Sequence, residues 1–428
     1  MVPAVESILA DIEARRAEMV ELCRDLVRIP TVNPPGSDYP EFARYLGARL
    51  RERHFELYFE RARGSDADSD SFPRINLIAR KSGGRPGPCV HFNGHMDVVP
   101  PGAGWSVDPF AGEVRDGRIF GRGTADMKGG IAAAVVAVEV LVDRWPDFPG
   151  ALELSATVDE ESGGLAGVGY LAEQGWFDPR RVQHVVIPEP LDPERICIGH
   201  RGVWWAEVSL SGRIGHGSMP HLGACAIRHA AAFLQLLEEE LRPRLAQRRT
   251  AMPVVPEAAR RPSLTLHSIH GGQMPPARGL PTPCVADRCT VILDRRFVVE
   301  ESPDQVRAEV LELLERLART RPGFAFELRE LLLVEPLWGD AGGLLPRTFA
   351  RAVEEVLGIA PAFVCSPGTY DHKHVLRIGR QPSCIAYGPG RLEQAHQPDE
   401  HIAIDDMVRA SQVMALAALR LLTQAQTP

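Results

Sequence analysis

The chain of 428 residues contains only three asparagines, Asn33, Asn76 and Asn93. It has no apolar stretch of the roughly 18 residues that a membrane span needs. The nearest candidate, GGIAAAVVAVEVLV (129–142), is interrupted by Glu139 and built largely of small residues, so it reads as a buried helix. The eight cysteines, at 23, 89, 197, 225, 284, 289, 365 and 384, include no CxxC pair. That argues against cysteine-held zinc and for reduced thiols in a cytoplasmic protein. Nor is there a basic excess. With a net charge of −8 and a pI near 6.0, neither nucleic acid nor an anionic membrane is an expected partner. The N-terminal segment MVPAVESILADIEARR is amphipathic and acidic, unlike a signal peptide. No internal repeat is visible. The segment GSDADSDS (64–71) lacks EF-hand spacing and reads as a mobile polar loop.

At 44% hydrophobic and 24% charged, the chain has an ordinary globular composition and is long enough for two domains. Apolar spacing predicts one helix over 4–28, stopping at Pro30, and another over 40–53. INLIAR (75–80), CVHFN (89–93), ALELSATV (151–158) and HVVIP (184–188) read as short strands. A helix is predicted from Met127 to about Asp143, and a Gly-rich helix start near 165–174. This alternation indicates a parallel or mixed sheet with both faces covered. Ligands of such sheets gather beyond the carboxyl ends of the strands.

The character changes near Gly199. VWWAEVSLSG (203–212), a helix over 223–240, SLTLHSIHGG (263–272), CVADRCTVILDRRF (284–297), a helix over 302–320 and FAFELRELLL (324–333) follow in the order β-α-β-β-α-β, the ferredoxin-like signature. The Arg- and Pro-rich stretch 241–262 is predicted to be a loop. After Pro336 the helix-and-strand alternation resumes, and CIAYGPG (384–390) is a strand ending beside His396. The expected fold is therefore α/β. A discontinuous α/β/α catalytic domain (1–198 and 336–428) carries an inserted ferredoxin-like α+β lid domain (199–335).

Six acidic and histidine residues stand where apolar runs meet Gly- or Pro-containing turns: His95, Asp126, Glu160, Glu161, Glu189 and His396. Carboxylates and imidazoles at loop mouths suit divalent transition metals. His95 and Asp97 are two apart at a strand end, so both can point to one side, and a carboxylate beside a ligating imidazole commonly fixes its tautomer. Asp126 opens a small-residue helix, where it can act as an N-cap or bridge two cations. Glu160 and Glu161 are adjacent and must diverge, so one can bind metal while the other faces substrate. The ordered set argues for a two-metal hydrolase.

The segments that hold these residues, HFNGHMDVVP (91–100), GRGTADMKGG (121–130), ATVDEESGG (156–164), VVIPEP (185–190), GRIGHGSMP (212–220) and AHQPDE (395–400), occur in a telling order. Together they resemble the binuclear zinc peptidase and deacylase family that includes acetylornithine deacetylase, succinyl-diaminopimelate desuccinylase, aminoacylase and carboxypeptidase G2. The resemblance covers nearly the whole chain. It implies two divalent ions, zinc first with cobalt or manganese as alternatives. One would be held by His95, Asp126 and Glu189, the other by Asp126, Glu161 and His396. Asp97 would orient His95, and Glu160 would be the general base for amide hydrolysis through a metal-bound hydroxide. His216 would reach an active site, often the partner subunit's, and stabilise the oxyanion in a homodimer joined through the lid. Arg296 would bind a substrate carboxylate, and Tyr370, Asp371 and His372 would line the pocket. The implied substrate is small and anionic, such as an N-acyl amino acid.

One departure stands out. Where the family has an Asn-containing NxxPD stretch, this chain has GGQMPPARGLPTPCVADR (271–288), so that contact is either missing or replaced, with Gln273 a candidate replacement. This keeps a second enzyme reading in view, an aminohydrolase releasing ammonia from an aromatic amine such as a nitroanthranilate. A third is a non-catalytic small-molecule binding protein, which would be expected to have lost Glu160 or a ligand.

Overall fold

Four apolar runs become the parallel centre of one sheet. Pro149–Thr157, Arg85–His95, His184–Ile187 and Cys384–Ala386 lie side by side in that order. Glu56–Arg61 and Ile75–Ser82 extend the sheet antiparallel on one side, and Arg195–His200 pairs antiparallel with Cys384–Ala386 on the other. The sheet is mixed and the fold α/β, as expected. These observations come from a computed structural model that describes residues 2–273 and 283–424.

Burial explains the composition of the central strands. Arg85–His95 is buried from Pro88 onward, Pro149–Thr157 from Ala151 onward and His184–Ile187 throughout, as a parallel sheet with covered faces requires. Yet every second residue on one face is polar. His91, Asn93 and His95 stand in register with Glu153, Ser155 and Thr157. They satisfy one another: His91 meets Glu153 at 2.9 Å and Ser155 at 2.7 Å, and Ser155 Oγ donates to Asn93 Oδ1 at 2.7 Å. Buried polar groups are tolerated only when paired in this way.

The helix Gly129–Arg144 is buried at every position from Gly129 to Val142, which its small residues permit. The long helix Ile404–Thr423 packs against it. Glu139, the interruption in the apolar run, is fully buried and faces three arginines. Arg49 Nη2 lies 2.7 Å and Arg53 Nη1 3.2 Å from its carboxylate, and Arg15 also donates to it.

The chain divides into two compact units. The first comprises Met1–Ile198, Gly339–Phe363 and Tyr370–Pro428; the second comprises Gly199–Trp338 and Val364–Thr369. In the second, four antiparallel strands run in the order Ser263–Gly271, Arg288–Phe297, Gly202–Ser211, Ala325–Val334. Helices Ala226–Leu236 and Pro303–Thr320 close its core through Phe233, Val310 and Leu314 against Trp204, Val208 and Leu293.

Three expectations need correction. The helix expected over 4–28 is two helices, Val5–Ala14 and Arg16–Arg28, broken at Arg15, whose side chain binds Glu18 and Glu139. The stretch 241–262 is not simply a loop. The preceding helix continues through a wider turn into Arg242–Ala246, burying Leu237, Leu241 and Leu245 at fourfold spacing, and Pro243 follows directly on that wider turn, which relieves the regular hydrogen-bond pattern a proline interrupts. The acidic run 64–71 is anchored: Asp68 pairs with Arg61 at 3.0 Å and accepts the Arg74 amide at 2.9 Å. Among the described residues no helix is long and apolar enough to cross a membrane, and no two of the eight cysteines are joined in a disulfide.

The Glu139 cluster yields a stability prediction. Glu139→Ala removes the fully buried carboxylate while the three arginines keep Glu18 and Asp143 as outer partners, and losing a buried hydrogen bond to a charged group costs about 1.5–3 kcal/mol. A clear fall in melting temperature is expected. An unchanged melting temperature would mean that the cluster contributes nothing.

Candidate metal centre

The carboxyl ends of the four parallel strands supply most of the site. His95 ends its strand. Beyond Thr157 the chain turns through Asp159, in a left-handed conformation, into the short turn Glu160–Ser162. Beyond Ile187 come Pro188 and Glu189. Beyond Ala386 a loop leads to His396, also left-handed at φ 64°. Asp126 comes from the irregular turn Thr124–Lys128. The following helix begins only at Gly129, with Lys128 at its N-cap position, so Asp126 is not a helix cap.

Asp126 divides its carboxylate between two histidines. Its Oδ1 lies 3.0 Å from His95 Nε2, and its Oδ2 lies 3.6 Å from His396 Nε2. Glu189 Oε1 is 3.8 Å from His95 Nε2, and Glu161 Oε1 is 3.0 Å from His396 Nε2. Two overlapping triplets result, His95–Asp126–Glu189 and Asp126–Glu161–His396, each with its ligand atoms within 4.8 Å of one another. Nitrogen and oxygen donors around a shared carboxylate are a suitable donor set for two divalent ions.

The electrostatics fit the same purpose. Burial, then repulsion by Asp126, pushes Glu161 up to about 7 and holds Glu189 well above the usual carboxylate range. Burial would raise Asp126 too, but His95 and His396 overcome it and hold it low. The bond to Glu161 raises His396 to about 9 against the opposing effect of burial. Burial likewise opposes the charge on His95, but Asp126 and Asp97 outweigh it. Carboxylates this close in a dry site repel one another, and divalent cations between them relieve that repulsion.

The supporting residues differ in part from expectation. Asp97 was expected to orient His95 through its carboxylate. Its main-chain oxygen makes the shorter contact with His95 Nδ1, 3.0 Å against 3.5 Å for the carboxylate. The carboxylate instead accepts the amides of Glu160 and Glu161, both at 3.1 Å, and so holds the turn that presents them. Glu400, which sequence reasoning missed, does the same for Asp126. It accepts the Ala125 and Asp126 amides at 2.9 and 3.1 Å and is paired with Arg122. Its only sequence signal is the run AHQPDE, in which Asp399 looks equivalent but binds the Ser106 amide instead.

All three asparagines brace this region. Asn33 donates to Ser162 Oγ at 2.8 Å and lies 3.3 Å from the Asp97 carboxylate. Asn76 accepts the Val158 amide at 3.1 Å and donates to Ala166 O at 2.9 Å. Asn93 donates to Asp371 Oδ2 at 3.0 Å.

Glu160 belongs to neither triplet; its Oε1 lies 3.0 Å from Lys373 Nζ. Tyr370, Asp371 and His372, expected to line a pocket, are all buried. The Tyr370 hydroxyl lies 3.2 Å from Cys197 Sγ and 3.3 Å from His372 Nδ1. Burial, then Glu160, pushes Asp371 up to about 7. His216 and Arg296 belong to the second unit. His216 is exposed in a turn, 2.7 Å from Ser218 Oγ. Arg296 makes a two-pronged pair with Asp294 at 2.7 and 2.9 Å. Gln273 is exposed, and the unusual segment that follows it falls largely in 274–282, outside the described residues.

Comparison with known proteins agrees with this geometry. The profile of peptidase family M20/M25/M40 matches residues 91–420. The chain belongs to this family. The succinyl-diaminopimelate desuccinylase of Nitrosomonas eutropha is 31% identical over 379 residues, 84% of this chain and 90% of that protein. Human carnosine dipeptidase 1 shares the fold with a TM-score of 0.79 at 20% identity, over 99% of this chain and 100% of that one. The Bacillus subtilis YXEP protein, described as a dinuclear metal binding peptidase, does so with a TM-score of 0.66 at 16% identity, over 96% of this chain and 100% of that one. The protein is a metal-dependent hydrolase acting on amide bonds.

A glycine packs against the turn that carries the candidate ligand Glu189. A Cβ on Gly130 would stand 2.0 Å from Pro188 O, so Gly130→Ala must displace the turn that carries Glu189. The overpacking should cost about 1–3 kcal/mol and reduce the bound cation content of the purified protein. Wild-type metal stoichiometry in this variant would show that the turn does not depend on Gly130.

Proposed function

We propose that this protein hydrolyses the amide bond of a small, carboxylate-bearing N-acyl amino acid or dipeptide-like substrate, with Glu160 as general base. The observation that carries the reading is the divergence of two adjacent glutamates. Glu161 turns to His396 and Asp126, whereas Glu160 stays outside both triplets. Adjacent carboxylates with separate partners suit one ligand and one proton carrier.

His95, Asp126 and Glu189 would hold one cation, and Asp126, Glu161 and His396 the other. When bound, two divalent ions supply Lewis acidity toward the carbonyl and make water a better nucleophile at neutral pH. Zinc suits the donor set, and cobalt or manganese can replace it. Glu160 then takes a proton from the attacking water and returns it to the leaving nitrogen. The C–N bond breaks, and the products are a carboxylate and an amine. Asp97 keeps the Glu160 turn in register with His95. His216 would stabilise the oxyanion, and Arg296 would bind the substrate carboxylate.

Similarity to desuccinylases and dipeptidases favours acyl-amino acids as the substrate class, by analogy of family. A homodimer joined through the second unit is part of the proposal. Ser263–Gly271 is an edge strand there and carries the exposed Leu266 and Ile269, a surface that invites pairing. Eight cysteines without a disulfide among them support a cytoplasmic location.

Glu160→Ala should retain the wild-type metal content, measured by elemental analysis, while turnover falls by about 10²–10⁴-fold. Glu161→Ala should lose metal. The opposite pattern would exchange the two roles.

Substrate class is tested by incubating the metal-loaded enzyme with N-acetyl, N-succinyl and N-formyl amino acids, dipeptides and substituted aminobenzoates. Release of a free amino acid from an acylated one is expected. Ammonia release from an aminobenzoate, without acyl hydrolysis, would replace this reading with the aminohydrolase one.

A further inference from the structure

Of the 48 basic residues in this chain only three are lysines, Lys81, Lys128 and Lys373. Elsewhere arginine supplies the positive charge. Two of the lysines donate to main-chain carbonyls: Lys81 to Arg53 O at 3.1 Å and Lys128 to Ile29 O at 2.8 Å. Lys373 differs. It is 2% exposed, and its Nζ lies 3.0 Å from Glu160 Oε1. Burying an ammonium costs several kcal/mol unless it is paired, so this contact is not an incidental surface ion pair.

The lysine is itself held from behind. It lies in the short helix His372–Arg377, preceded by Asp371. The Asp371 carboxylate accepts Asn93 Nδ2 at 3.0 Å and approaches Thr157 Oγ1 at 3.4 Å. Asn93 is two residues before His95 on the same strand, and Thr157 ends the strand that leads to Glu160. Lys373 is thus referenced to the two strands that present His95 and Glu160.

We propose that Lys373 is a positioning residue for Glu160, anchoring Oε1 by a single contact so that Oε2 stays available for proton transfer. This rests on the reading of Glu160 as general base. The choice of lysine follows from geometry. A guanidinium tends to grip both oxygens of a carboxylate, whereas an ammonium is a compact point charge that engages one. In a chain that otherwise uses arginine almost exclusively, lysine at this position meets that requirement.

The test uses Lys373→Met, which keeps length and removes charge, beside Glu160→Gln and the double variant. In EDTA-treated protein each single variant should lower the melting temperature, and the double should melt no lower than the less stable single. Additive losses would show that the two side chains do not act as a pair and would overturn the inference. In the metal-loaded enzyme, assayed with the acyl-amino acid it hydrolyses fastest, Lys373→Met should keep wild-type metal content and a KM within about threefold. Its kcat should fall by about 10–100-fold, the scale of a misplaced reacting group. Unchanged kcat would overturn the proposal, as would a loss accounted for by missing metal or by raised KM. Should Lys373→Met fail to fold, Lys373→Arg carries the test: reduced kcat with intact metal content is expected, and wild-type kcat overturns the inference. Wild-type activity in Glu160→Gln would instead remove the general-base reading itself. An inactive Glu160→Gln beside a fully active Lys373→Met would remove only the role of Lys373.

Discussion

Repulsion among buried carboxylates is the constraint around which this protein is organised. Burial first, and then Asp126, raises both Glu161 and Glu189, and burial followed by Glu160 raises Asp371. Uncompensated charges at such spacing in a dry environment cost far more than a fold of ordinary stability can absorb. Compensation must therefore be local, and each source of it is identifiable. His95 and His396 face the shared aspartate, Lys373 faces Glu160, and Arg122 faces Glu400. Divalent cations in the two triplets would complete the balance.

Holding such a site requires polar bracing, because repelling groups spread apart when their loops are free to move. The parallel strands bring their carboxyl ends together, but the loops beyond them are held by hydrogen bonds to main-chain amides. Asp97 grips the Glu160–Glu161 turn, and Glu400 grips the Asp126 turn. The three asparagines act at the next distance out, on Ser162, Val158 and Asp371. Outer partners of this kind orient the groups in front of them. The polar face formed by His91, Glu153, Ser155 and Asn93 extends the bracing into the sheet, which explains why an interior strand carries alternating polar residues.

The grouping of the candidate ligands was legible in the sequence because each marks a change of local structure, from an apolar run to a Gly or Pro turn. Glu400 and Lys373 were not, because a charged residue in a loop looks the same in sequence whether solvated or buried. Only the structure shows Lys373 at 2% exposure. The element pattern was legible where the apolar period was clean, as in Gly202–Ser211 and Pro303–Thr320. It failed at Arg15, where neither Gly nor Pro announces a break, and at the start of the Arg- and Pro-rich stretch 241–262, which continues the preceding helix as far as Ala246. The return of Val364–Thr369 to the second unit has no local signature, since it depends on long-range packing.

The proposed chemistry and the proposed carboxylate anchor lie in different parts of the chain. The candidate ligands, Glu160 and Lys373 all belong to the first unit. The proposed carboxylate anchor, Arg296, belongs to the second, and its surroundings limit how it can act. Its Nε and Nη2 already pair with both oxygens of Asp294. A substrate carboxylate must therefore either use the remaining nitrogen or displace Asp294. Displacement would leave Asp294, which is largely buried, with His267 Nε2 at 3.4 Å as a compensating partner, and an under-compensated buried carboxylate is costly. Binding through the remaining nitrogen avoids that cost but forgoes the two-pronged geometry that makes arginine selective for carboxylates. On the proposed reading, Arg296 alone is then a weak discriminator between one small anion and another.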